Sequence, residues 1–249
     1  MKQTKTFQIF TNILYRILTV WNIFTTIEYQ SDQKRPLKEC LLFFPIVGAL
    51  LGGLILAFIV ATINLSGVPA ATILTAILLP CFLFYINSGR QIKSLLSLAE
   101  PVFFEYFNKK NETEKFTLYC TVTFMVLLLI FKLLAVGVFV FSAKLNWLFL
   151  LPIVTTTAFA ELLILFGAIE EASLKNKRYL HWIIAFIFAG WVLALPGVIT
   201  VVVVWFVLNR TFYFLKNKYG NLSENMIYAM CELIELAVLL AGIFLLQKI

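Results

Sequence analysis

Long apolar runs of about 20 residues, separated by short polar clusters, dominate the chain. They cover about Leu41 to Leu65, Ala70 to Ile86, Thr117 to Ser142, Trp147 to Ala168 and Met226 to Leu246. A further run, Leu180 to Leu208, is long for one crossing and short for two, and Leu195-Pro196-Gly197 divides it. None of these runs alternates apolar and polar residues, so the pattern predicts helical spans rather than a transmembrane barrel. Ahead of them, Phe7, Phe10, Leu14, Ile17, Trp21 and Phe24 recur at spacings of three and four, interrupted by Asn12, Arg16 and Asn22. That is the pattern of an amphipathic helix lying in, or partly inserted through, the membrane interface. No small-residue cleavage site follows it, which argues against a signal peptide.

Composition agrees. The 249 residues are 61% hydrophobic and 13% charged, against about 25% charged for a soluble domain. The net charge of +7 does not call for nucleic acid, because basic residues collect in cytoplasmic loops and fix orientation. Their distribution also resolves the ambiguous run. The N-terminal segment, 88–116, 169–179 and 209–225 hold 6, 5, 3 and 3 Lys/Arg, while the alternate segments hold only Lys144 and Lys248. This asymmetry requires two spans between Leu180 and about Phe214. The expectation is therefore an all-α, polytopic membrane bundle of about seven transmembrane helices plus an N-terminal amphipathic helix. It forms one integral-membrane domain over 1–249, with 1–40 as the amphipathic segment and 41–249 as the bundle. It sits in the cytoplasmic membrane, with the N-terminus and basic loops inside. Cys40, Cys81, Cys120 and Cys231 are scattered, no CxxC occurs, and His181 is the one histidine. That set supplies no zinc, haem or iron–sulfur site built by His and Cys and reads as buried free thiols.

Three features carry candidate chemistry. Gly48 and Gly52, four apart in the first run after Pro45, would let a neighbouring helix backbone approach closely. The stretch from Asn87 to Lys115 is the longest interruption between apolar runs, and Ile92, Leu95, Leu96, Leu98 and Ala99 suggest a short amphipathic helix ending at Pro101. Lys132, Glu161, Glu232 and Glu235 lie inside apolar runs, where each costs about 2.5–3.5 kcal/mol to insert and needs a protein partner or water. Glu232 and Glu235 share one helix face. They read as a cation or proton site, as an interhelical pair with Lys132, or as acids placed near the interface in the first turns after Met226.

Several segments together resemble the cobalamin synthase family, the adenosylcobinamide-GDP ribazoletransferases. Phe44-Pro45-Ile46-Val47-Gly48, followed by Gly52, is similar to the family's FPxVG span. Tyr219-Gly220-Asn221-Leu222-Ser223-Glu224-Asn225, followed by Glu232-Leu233-Ile234-Glu235-Leu236-Ala237-Val238-Leu239-Leu240, resembles its GGxTGD loop and ELxELxVLL helix. The resemblance implies a membrane enzyme that joins α-ribazole, or its phosphate, to GDP-activated adenosylcobinamide, with magnesium held by clustered aspartates. Alignment on Gly89 places Gln91 at the family's histidine, and Lys93, Ser97 and Glu100 at its three aspartates. Glu114 falls in the DSR-like triplet, and Glu224-Asn225 replace the Gly-Asp pair. Asp32 is the sole aspartate of the chain.

Two consequences follow from the resemblance. Glu100, Glu114 and Glu224 become the candidate metal ligands, with Glu100 and Glu224 the catalytic candidates. Arg90, Gln91, Lys93 and Asn225 become candidates for direct contact with an anionic ligand. A carboxylate one methylene longer displaces a metal by roughly 1 Å, which can cost about 100-fold in rate, and Lys93 repels a cation. The readings are thus a transferase using glutamates, or a non-catalytic relative that binds a corrinoid, a nucleotide or a partner protein. A transporter that uses Glu161, Glu232 and Glu235 is the third.

Overall fold

The computed structural model describes residues 5–25, 36–86, 114–167, 169, 179–220 and 224–246. All regular structure among them is helical. The helices are α1 (Lys5–Phe24), α2 (Leu37–Cys40, continued by a 3₁₀ turn Leu41–Phe43), α3 (Phe44–Ile86), α4 (Glu114–Phe141), α5 (Asn146–Leu165), α6 (Leu180–Tyr219) and α7 (Glu224–Leu246). Among the described residues, five helical stretches are long and apolar enough to cross a membrane: Leu37–Leu79, Tyr119–Phe141, Asn146–Leu165, Leu180–Lys218 and Met226–Leu245. The expected all-α membrane bundle is what the chain forms.

Two of these stretches are too long for one crossing. α3 has 43 residues and α6 has 40. At about 1.5 Å per residue each spans roughly twice the ~30 Å hydrocarbon layer. Each is broken once. In α3 the break is Gly67 (φ 74°, ψ 165°), a conformation that only a residue without Cβ takes freely. In α6 it is Ala194 (φ 49°, ψ −136°).

Contacts along α5 show that α6 doubles back. Near the start of α5, Asn146 Nδ2 donates to the Val192 carbonyl at 3.2 Å. Near its end, Glu161 meets Trp182 from before the break, and Phe166 meets Phe212 from after it, with ring centroids 5.2 Å apart. At the fold, Gly197 lies against the Ala189 carbonyl, so a Cβ there would have no room. The loop-charge argument for two segments is thus matched by a hairpin. The turn sits one residue earlier than Leu195-Pro196-Gly197. Those three residues open the returning arm, where Pro196 forfeits no intrahelical hydrogen bond.

α3 behaves similarly. Its first arm runs antiparallel to α5, with Gly48 against Thr156 Oγ1 and 2.6 Å from the Pro152 carbonyl, and Gly52 2.6 Å from the Phe149 carbonyl, measured from the Cβ each would carry. After Gly67 the chain returns along α4, where Gly137 faces Thr72 and Ala76 at 3.8 Å. Pro45 is the second residue of α3, a first-turn position that needs no backbone donor.

α5 is the axis of the bundle. It is buried on every side from Trp147 to Ile164, except for the partly exposed Phe149 and Pro152. Its polar run is satisfied within the helix: Thr155, Thr156 and Thr157 donate to the carbonyls of Leu151, Pro152 and Ile153 at 2.9, 2.8 and 2.6 Å. Hydroxyls that bond four residues back can be buried without an outside partner. α1 is pinned at its C-terminal end, where Phe24 packs on Phe44 and Phe159 at centroid distances of 5.8 and 4.9 Å. Arg16 pairs with Glu39 of α2 at 2.9 Å. The other end of α1 stays exposed through Phe7, Ile9 and Phe10, as an interfacial helix requires.

These contacts sort the helix ends. Phe44, Phe166, Leu180, Tyr219 and Glu224 lie at one end of the bundle. The Gly67 break, the 142–145 link and the Ala194 break lie at the other. The segments 26–35, 87–113, 170–178 and 221–223 therefore all leave from the first end, called here the loop-bearing end.

The glycine contact is directly testable. Gly48→Ala drives a Cβ into the α5 backbone and should destabilise the protein by about 1–3 kcal/mol. Gly53 has nothing within 4 Å of its would-be Cβ, so Gly53→Ala should leave the melting temperature in detergent unchanged or slightly raised. Equal melting temperatures for Gly48→Ala and wild type would show that the helices do not approach this closely.

Candidate functional site

Arg90, Gln91, Lys93 and Glu100 lie outside the described residues, as does the short helix expected over Ile92 to Ala99. Glu114, Glu224 and Asn225 were expected in loops. Instead, Glu114 is the first residue of α4, and Glu224 and Asn225 are the first two of α7. A carboxylate in a first turn is favoured by the positive end of the helix dipole, which explains why both helices begin earlier than the apolar runs suggest. Both N-termini lie at the loop-bearing end.

This placement bears on the magnesium that the family resemblance implies. Glu114 and Glu224 are oxygen donors at the right end of the bundle. Yet a helix N-terminus presents unpaired N–H groups and partial positive charge, which suits an anion and disfavours a cation. The described positions therefore disfavour a resident metal ion.

The ionisable residues inside the spans form two separate groups. In the first, Lys132 of α4 bridges two acids of α7. Its ammonium is 2.7 Å from Glu235 Oε2 and also pairs with Glu232 Oε1. All three side chains are at least four-fifths buried, and Cys231 is a buried free thiol next in sequence. The three-residue spacing of the acids, noted in the sequence, is what lets one lysine reach both. Of the sequence readings, the interhelical pair with Lys132 matches these contacts. Glu232 Oε2 is buried with no hydrogen-bond partner.

The second group joins α5 to the first arm of α6. Glu161 and His181 are fully buried. Trp182 Nε1 donates to Glu161 Oε2 at 3.3 Å. His181 Nε2 lies 3.2 Å from the same oxygen, within ion-pair reach but not aligned for a hydrogen bond. His181 Nδ1 is likewise buried without a partner among the described residues. Nothing in the spacing of Glu161 and His181 signals this pairing. The usable clue was that the chain's one histidine begins the apolar run that follows Glu161.

These polar contacts of the two groups run to different partners on different helices. Among the described residues, no set of three His, Cys, Asp or Glu side chains is arranged to hold a metal ion. Comparison with protein-family models, curated proteins and solved structures finds no match.

Removing one member of a buried ion pair leaves its partner uncompensated and costs about 3–5 kcal/mol. Lys132→Met should therefore sharply lower the melting temperature and the yield of folded protein. Lys132→Met combined with Glu232→Gln and Glu235→Gln should recover most of that loss. A triple variant no better than the single one would show that the acids do not depend on this lysine.

Proposed function

We propose that this chain is a multi-pass protein of the cytoplasmic membrane, built on the plan of the ribazoletransferases. At its loop-bearing end it binds a corrinoid or the activated nucleotide of the same reaction, without carrying out the transfer. The observation that supports this reading is the convergence of sequence-distant segments. The helix ends flanking 87–113 and 221–223, which carry the resemblance's candidate ligand residues, lie at the same end. Arg90 and Lys93 add cationic groups, and the excess of Lys and Arg in these segments supports a cytoplasmic orientation of this end. The absence of every aspartate after Asp32 argues against a magnesium-dependent pyrophosphate cleavage.

A second reading keeps the transfer, with Glu100, Glu114 and Glu224 replacing the family's aspartates. It is favoured by one observation, that Glu114 and Glu224 open helices leaving the same end. Purified protein mixed with adenosylcobinamide-GDP and α-ribazole, with and without magnesium, separates the two. Binding without transfer gives a ligand-dependent rise in melting temperature and no product. Product that forms with magnesium and is lost in the Glu100→Gln/Glu224→Gln variant establishes the second reading. Neither a shift nor product with either compound overturns both.

A further inference from the structure

The returning arm of α6 carries a groove of about 610 Å³ whose described lining comes from that arm alone, including Trp205, Phe206, Asn209, Arg210, Tyr213 and Asn217. Its size is that of a small-molecule site. Trp205, Phe206, Tyr213 and Phe214 are exposed, while the opposite face of the same arm, through Val204, Leu208, Phe212 and Leu215, is buried in the bundle. The groove therefore opens toward lipid.

Its depth follows from α5. That helix has 20 residues, about 30 Å, which matches the hydrocarbon thickness. Its last turn marks one edge of the apolar layer. Phe166, just past that turn, touches Phe212 at 5.2 Å. Arg210 is less than one turn from Phe212 and so lies at headgroup depth. Trp205 and Phe206 are about a turn deeper, Tyr213 is under a turn outward and Asn217 about two turns outward. Lys216 sits over the Phe212 ring at 5.7 Å, on the aqueous side. Going outward, the arm passes Trp205 and Phe206, then Arg210, then Phe212, Tyr213 and Phe214, and then Lys216.

Arg210 is the informative member. Its guanidinium lies over the Phe206 ring, 5.2 Å from the centroid. It makes none of the ion pairs found among the described residues. An exposed arginine at the boundary of the apolar layer, without an acid of its own, holds five donors for an oxyanion. We infer that this groove is a binding site for an anionic phospholipid, with the phosphate on Arg210, the polar headgroup toward Asn217 and an acyl chain along Trp205 and Phe206. A zwitterionic lipid is disfavoured because its ammonium would face Arg210 and Lys216. A symmetric second copy is disfavoured because a two-fold interface through this face would bring the same cations together. The site is independent of the loop-bearing ligand site and stands or falls apart from it.

The test uses full-length protein in a neutral detergent, with phosphatidylglycerol or phosphatidylcholine added and bound lipid counted by native mass spectrometry. Wild type should retain phosphatidylglycerol over phosphatidylcholine. Arg210→Gln should bind it about fivefold more weakly, the worth of one basic residue near a membrane surface. Lys144→Gln, at the opposite end of the bundle, should bind like wild type. Inorganic phosphate at millimolar concentration should not displace the lipid. A second readout does not depend on the Arg210 variant folding. Brominated phosphatidylglycerol should quench tryptophan fluorescence more than brominated phosphatidylcholine, and Trp205→Phe should remove the excess. Equal retention of the two lipids, undiminished binding by Arg210→Gln, displacement by free phosphate, or disulfide cross-linking between copies through Phe206→Cys would each overturn the assignment.

Discussion

The close approach of α3 to α5 at Gly48 and Gly52 is the contact on which the bundle depends. In lipid there is no hydrophobic force to drive two helices together, because the surrounding tails are as apolar as leucine. What remains is van der Waals packing, and its strength depends on how near the backbones come. Two glycines facing the α5 carbonyls at Pro152 and Phe149 let the first arm of α3 lie directly on the central helix. α5 can then be surrounded by α3, α6 and α7, and its threonines need no outside partner because they bond their own backbone.

Around this axis the polar chemistry is divided. Two polar groups sit inside the bundle, each joining a pair of helices: Lys132 with Glu232 and Glu235 between α4 and α7, and Glu161 with His181 and Trp182 between α5 and α6. A buried ion pair such as that of Lys132 with its two acids adds little net stability, since desolvation offsets most of the attraction. It does penalise every register in which the charges are left unpaired. The longer polar segments leave from one end, which makes that end the place where recognition of a polar ligand is physically affordable.

Much of this was legible in the residues. Gly48 and Gly52 pointed to a close helix contact, and the gap between the runs ending at Leu65 and beginning at Ala70 to a break. The alternation of basic loops demanded a division within 180–214, found as a hairpin at Ala194. Pairing with Lys132 was one of the readings the sequence offered for Glu232 and Glu235. Other features were not legible, for identifiable reasons. Apolar periodicity cannot say which span is central, because lipid and protein interiors are both apolar. A usable hint existed in that α5 and α7, the most buried of the spans, are also the least hydropathic, since a helix shielded from lipid is free to carry threonine, alanine and glutamate. The Glu161–His181 contact joins residues whose helices meet only through tertiary packing. The starts of α4 and α7 at Glu114 and Glu224 were missed because an apolar-run criterion discards the carboxylates that a helix N-terminus favours.

The central claim is that both long helices fold back, so that chain reversals at Gly67 and Ala194 and the 142–145 link share one end, and all other connections share the opposite end. Single cysteines in a background lacking the native ones, probed with a membrane-impermeant thiol reagent on sealed vesicles, test it most directly. Ser66→Cys and Lys144→Cys should be modified from the same side. Tyr179→Cys and Asn217→Cys should be modified only from the other. Modification of Ser66→Cys from the side that reaches Asn217→Cys, or of Tyr179→Cys and Asn217→Cys from different sides, would contradict the fold and with it the shared loop-bearing end.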